Sequence, residues 1–161
     1  MAILSQILSH WTHSFPYFNM SSDSFYKQAE EIIKDHQMPE VKIERAKHKE
    51  GGMFSASREY LRIKRGDLVI DLCAAPFGKD FFISWWLYET ESAMRNILKS
   101  TKVGDYLNDR ASKRTFYEAD EEAMFKGCVH DCVIEAIGKV TEGKGIRGLT
   151  DLEKQITSGG M

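Results

Sequence analysis

Thiols are the side chains with the most evident chemistry in this sequence. Cys128-Val129-His130-Asp131-Cys132 offers two sulfurs and an imidazole, all of them zinc ligands. On a helix, however, Cys128 and Cys132 share a face while His130 lies about 200° round from Cys128, so the three do not converge. The segment reads instead as small apolar side chains in a helical stripe, and neither a metal nor a cofactor is expected. Cys73 precedes the small residues Ala74-Ala75-Pro76. A nucleophilic cysteine needs a base and a stabilised thiolate. His48 is a candidate base, but nothing in the sequence brings it to Cys73, so no catalytic residue is assigned.

Two other motifs lose their meaning in context. Gly143-Lys144-Gly145-Ile146-Arg147-Gly148 fits the dinucleotide pattern G-x-G-x-x-G, but it follows a long helix instead of a strand and reads as a helix cap and loop. Arg65-Gly66-Asp67 has the letters of the integrin-recognition tripeptide. Its glycine is explained by a tight turn.

That turn belongs to the element positioning the most informative surface, a three-stranded antiparallel meander over residues 58–88. Gly66-Asp67 suits a type II′ two-residue loop, where glycine takes positive φ without steric cost. Counting outward pairs Arg65 with Leu68, Lys64 with Val69, Ile63 with Ile70, Arg62 with Asp71 and Leu61 with Leu72. A one-residue shift would oppose Arg62 to Val69 and Tyr60 to Asp71, which pairs charge with hydrocarbon. With Leu61, Ile63, Ile70 and Leu72 turned to the core, the second face carries Arg58, Tyr60, Arg62 and Lys64 beside Val69, Asp71 and Cys73. Trp85 and Trp86 are adjacent in the next strand and must point to opposite faces. Tyr60, Arg62, Lys64, Asp71, Trp85 and Trp86 are therefore the candidate ligand or partner surface. Two arginines and a lysine there suit an anionic group or an acidic partner surface. The N-terminal helix or the acidic helix is the expected cover for this face.

Around the meander, MAILSQILSHW spaces Ile3, Leu4, Ile7, Leu8 and Trp11 as an amphipathic helix, followed by a loop over residues 12–21. The helix could dock on a membrane, but its polar side lacks the usual Lys and Arg, so docking on the protein's own core is preferred. A second helix is signalled from Ser22 to Gln37, and a Lys-rich edge strand over 41–49. A modest helix uses Ala93, Met94, Ile97 and Leu98, and a basic connector runs from Lys99 to Arg114. The strongest helix spans about Asp120 to Thr141, with acidic residues in its first turn. Thr150-Asp151-Leu152-Glu153 reads as a capping box opening a short terminal helix.

The bounds are those of an ordinary globular protein. A chain of 161 residues suits one domain, here an α+β domain over residues 1–157 with a flexible tail at 158–161. A net charge of −2 argues against nucleic acid. Charge nonetheless clusters: residues 56–66 sum to +3, 67–92 to −4, 95–115 to +4 and 118–135 to −5. Three cysteines make no disulfide framework, and no Lys or Arg precedes Lys27, so a cytoplasmic, reducing location is expected. No stretch reads as a membrane span.

The phrases Glu50-Gly51-Gly52, Ser57 to Arg62, Cys73 to Gly78 and Phe81 to Trp86, with the segment from Met124 to Arg147, resemble a group of bacterial proteins. The resemblance implies no activity and no functional residue. Members of that group can carry a membrane-spanning insertion after the tryptophan pair, whereas residues 89–114 here are polar and charged. Taken together, the sequence implies an α+β fold with an antiparallel meander sheet of about four strands packed by N- and C-terminal helices. The expected function is a non-catalytic interaction or regulatory module, membrane-proximal or within a larger complex, with a protein partner or self-association. The alternatives are a small enzyme using Cys73 or a His/acid pair, and peripheral membrane binding through the N-terminal helix.

Overall fold

A computed structural model describes residues 7–49, 57–90, 115–145 and 147–158. Its elements are β1 (Ile7–Phe15), α1 (Ser22–Asp35), β2 (Val41–Lys49), β3 (Ser57–Arg65), β4 (Leu68–Phe77), β5 (Asp80–Glu89), α2 (Phe116–Glu142) and the two-residue β6 (Thr157–Ser158). The fold is α+β. The strands form one antiparallel sheet in the order β2-β3-β4-β5-β1-β6, in which five strands are of full length.

The meander forms in the expected register, with Arg62 opposite Asp71 and Ile63 opposite Ile70. Gly66 takes φ +60 while Asp67 stays at negative φ, as a type II′ turn requires. A second Gly-first turn, Gly78-Lys79, joins β4 to β5 with Gly78 at φ +63. The Lys-rich β2 lies at one edge, as expected.

The N-terminal segment departs from the helix read in the sequence. Residues 7–15 form β1, paired with β5 from Ile7 opposite Tyr88 to Phe15 opposite Phe81. The expected loop at residues 12–15 is part of that strand. Ile7, Leu8 and Trp11 satisfy a helical stripe, but Trp11 and Phe15 also satisfy alternation, and pairing with β5 decides between the two. This strand raises the count from about four to five. Residues 1–6 lie outside the described residues, as do the modest helix at 93–98 and the connector at 99–114. The capping box at Thr150 and Glu153 does form, with reciprocal bonds of 2.8 and 3.2 Å, but it opens a single turn and not a helix. Thr157 pairs with His10 of β1, and Ser158, expected in the flexible tail, pairs with Ser9.

Both described helices lie on one face of the sheet. Phe25, Ala29, Ile32 and Ile33 of α1, and Phe125, Val129, Val133 and Ile137 of α2, join Leu61, Ile63, Ile70, Leu72, Trp11 and Trp85 in one core. Ser21 caps α1 by accepting from the Ser24 amide, and Thr115 caps α2 in the same way. The acidic helix therefore does not cover the second face, and no N-terminal helix stands over residues 7–15 to do so.

One core tyrosine has a structural task. The β3–β4 ladder ends at the Leu61–Leu72 pair. Beyond it, the next ladder hydrogen bond would join the Glu59 carbonyl to the Ala74 amide. The Tyr26 hydroxyl occupies that position, donating to Glu59 O at 2.7 Å and accepting from Ala74 N at 3.0 Å. The sheet thus splays at this end, and the buried phenol of α1 satisfies both backbone groups that the splay would otherwise leave unpaired.

Candidate functional site: the second face of the sheet

The centre of the second face is Asp71, only 3% exposed. Its β4 position places it opposite Arg62 on β3 and Trp86 on β5. Arg62 donates from Nε to Oδ1 at 2.8 Å and from Nη2 to Oδ2 at 3.0 Å, a bidentate fork. Tyr88 donates its hydroxyl to Oδ2 at 2.6 Å. His48 Nε2 stands 2.9 Å from the same oxygen and 3.1 Å from Arg62 Nη2. With the proton on Nε2, His48 donates to the carboxylate as a third side-chain donor beside Arg62 and Tyr88.

Burial by itself would raise the Asp71 pKa, yet hydrogen bonds from Arg62, Tyr88 and His48 outweigh it and hold the carboxyl below its usual range. The Asp71 carboxylate in turn raises the Arg62 guanidinium. Burial, followed by the Asp71 contact, raises the Tyr88 phenol. The network is charge-balanced and fixed before any ligand arrives.

The network is flanked by aromatic side chains. His10 lies flat on Trp86, with ring centroids 4.8 Å apart and 13° between planes. Its Nδ1 is buried without a hydrogen-bond partner among the described residues. Tyr60 meets His48 edge to face. Arg58 lies beside Tyr60 and Cys73 at the lip of the splay.

Of the residues singled out in the sequence, Arg62 and Asp71 meet at the centre, and Tyr60 and Trp86 border them. Lys64 does not reach Asp71 and pairs with Glu44 at 2.9 Å. Trp85 leaves the set: it is the core-facing tryptophan, fully buried, and donates Nε1–H to His130 Nδ1 at 3.0 Å. The sequence reading missed His48 in this role, together with Tyr88 and His10. Counting from the Gly78-Lys79 turn places Tyr88 opposite Val69, on the Asp71 face. No comparable signal fixes His48, since the β2–β3 connection is too long to dictate a register.

No family model, no characterised protein and no solved structure matches this chain. Its function is therefore read from the chemistry of the site. Burial raises the Cys73 thiol, against the opposing influence of Arg58 and Ser84, so the sulfur is protonated near neutral pH and is a poor nucleophile. His130 is a satisfied core histidine: Nδ1 accepts from Trp85, and Nε2 donates to Lys154 O at 2.6 Å. Among the described residues no three His, Cys, Asp or Glu side chains form a metal-binding group. None of the described helices is long and apolar enough to cross a membrane.

Cross-strand pairing assigns Lys42, Arg58, Arg62 and Lys64, with Glu44 and Asp71, to this one face. With Asp80, which the β4–β5 register adds to the same face, it carries a net +1 with its histidines neutral, on a chain whose total is −2. Within it Val69, Asp71, Cys73 and Ser84 are buried, while Tyr60, Arg62, Lys64 and Trp86 are partly exposed around them.

Proposed function

We propose that this chain is a non-catalytic interaction module whose second sheet face receives an acidic segment of a partner protein. The observation that carries the reading is the Asp71–Arg62–His48–Tyr88 network, set on a cationic face that neither described helix packs against. A fixed ion pair at the centre orients Arg62 without spending entropy on binding. Trp86, Tyr60 and Arg58 around it are of the residue types that dominate interface energetics. The cations would speed encounter with an acidic partner and make binding weaken with salt.

Fluorescence anisotropy of a labelled glutamate-rich peptide tests this. Arg58→Glu should weaken binding about tenfold or more, roughly 1.4 kcal/mol or above, and added salt should weaken it further. Equal affinity in the wild type and the variant would sink the proposal.

A second reading has one observation in its favour. The 2.9 Å contact between His48 Nε2 and Asp71 Oδ2 is how a general base is held by an acid partner. Under that reading His48→Gln abolishes hydrolysis of an activated ester such as p-nitrophenyl acetate, whereas a rate equal to the wild type's removes it. The membrane-anchor reading loses its helix over residues 7–15, because Trp11 is buried in the sheet.

A further inference from the structure

A cleft of about 270 Å³ lies away from the second face, between the end of α1, the end of β3 and the first turns of α2. It is lined in part by Arg65, which ion-pairs with Glu121 and donates Nε–H to Pro39 O at 3.1 Å. The walls are unusual in sulfur. Seven methionines and three cysteines are spread over 161 residues, yet Met38, Met124 and Cys128 line this one cleft. Met124 and Cys128 are one turn apart on α2 and so share a face, with Cβ atoms about 5–6 Å apart. Met38 lines the same cleft from the connection after α1, where Gln37 and Glu40 both hold positive φ on either side of Met38-Pro39. Two non-glycine residues in that conformation make the loop costly, and such strain gathers at functional sites.

We infer that this cleft is a binding site for a soft monovalent metal ion, Cu(I) in chemical type, held by the Cys128 thiolate and the thioethers of Met38 and Met124. Thiolate and thioether sulfurs select Cu(I) over harder cations. One thiolate and two neutral thioethers also balance a single positive charge. Zinc asks for four ligands drawn from thiolate, imidazole and carboxylate; His36 and Glu121 also line the cleft, but they are paired with Glu135 and Arg65, and with Cys128 they form no metal-binding group. Met124 is largely exposed and Met side chains are flexible, so the thioethers can close on an ion entering from solvent. Cys132, one turn further along α2, is not a ligand here: it is fully buried in the core and does not line the cleft. On binding, the Cys128 S–H bond is replaced by S–Cu and the proton leaves to solvent. Copper enters and leaves as Cu(I), so no electron is transferred.

Anaerobic competition between the full chain and the coloured Cu(I) complex of bathocuproine disulfonate tests the site. The wild type should withdraw one Cu(I) per chain, and Cys128→Ser should withdraw none. Outer-shell changes alone cost about 10–100-fold in metal affinity, so the Met38→Leu/Met124→Leu pair should weaken binding at least that much. Leucine is close to methionine in volume, so this variant keeps the fold, as its melting curve will check, even if Cys128→Ser does not. Failure of the wild type to withdraw copper overturns the assignment. So does withdrawal that is unchanged in the double leucine variant, since thiols alone would then be holding the ion. Zn(II) bound as tightly as Cu(I) would overturn the soft-ion assignment as well.

Discussion

Removing one oxygen atom from the core should have a large effect. Tyr26→Phe deletes the hydroxyl that bridges Glu59 O and Ala74 N and keeps the buried ring. Two backbone groups then lose their only bridge in a site where Tyr26 itself is fully buried. A buried donor or acceptor left unsatisfied costs about 1–3 kcal/mol, so the pair should cost about 2–4 kcal/mol after partial relaxation. For a chain of this size that corresponds to a fall in Tm of roughly 5–15 °C. Urea unfolding with an unchanged slope measures the free energy, and amide hydrogen exchange at Ala74 locates it. A loss under about 0.5 kcal/mol with Ala74 still protected would refute the reasoning. It would mean that β3 and β4 zip together directly once the phenol stops holding them apart.

Three further outcomes follow from the same structure. Asp71→Asn leaves the Arg62 guanidinium half-buried and without its counter-ion, and should cost about 2–4 kcal/mol at pH 7 by chemical denaturation. Because the folded Asp71 pKa is depressed, its contribution is present above about pH 4 and is lost as pH falls through the folded value, so wild type and variant should converge in acid. Burial lowers the pKa values of His130 and His13. The unfolded chain therefore takes up protons first, and stability should decline from about pH 7 towards pH 5; His130→Gln should flatten that decline, and an unchanged slope would contradict it. Gly66→Ala meets no atom within 4 Å, so its cost is purely that of φ +60, about 1–2 kcal/mol in a thermal melt.

What was legible in the sequence was what a short, well-defined turn dictates. Gly66-Asp67 specified the β3–β4 register residue by residue, and with it the Arg62–Asp71 pair at the centre of the site. The capped and strongly patterned α1 and α2 were legible for the same local reasons. β1 was not, because its core-facing side alternates Ser9, Trp11, His13 and Phe15, two of them polar, which blurs the period-two signal until β5 is there to pair with it. His48 reaches Asp71 only through the β2–β3 pairing, and the connection between those strands sets no register. The Tyr26 bridge depends on where α1 docks, which no local pattern encodes.

The claim that the second face of the sheet is where this protein meets its partner is tested most directly by mapping. Backbone amide NMR spectra recorded while a glutamate-rich peptide is added should shift at Arg58, Tyr60, Arg62, Asp71 and Trp86 and at the Trp86 indole, with Trp85 and the α1 and α2 amides unmoved. Saturable shifts confined to the helices, or no shifts at low salt, would contradict the account.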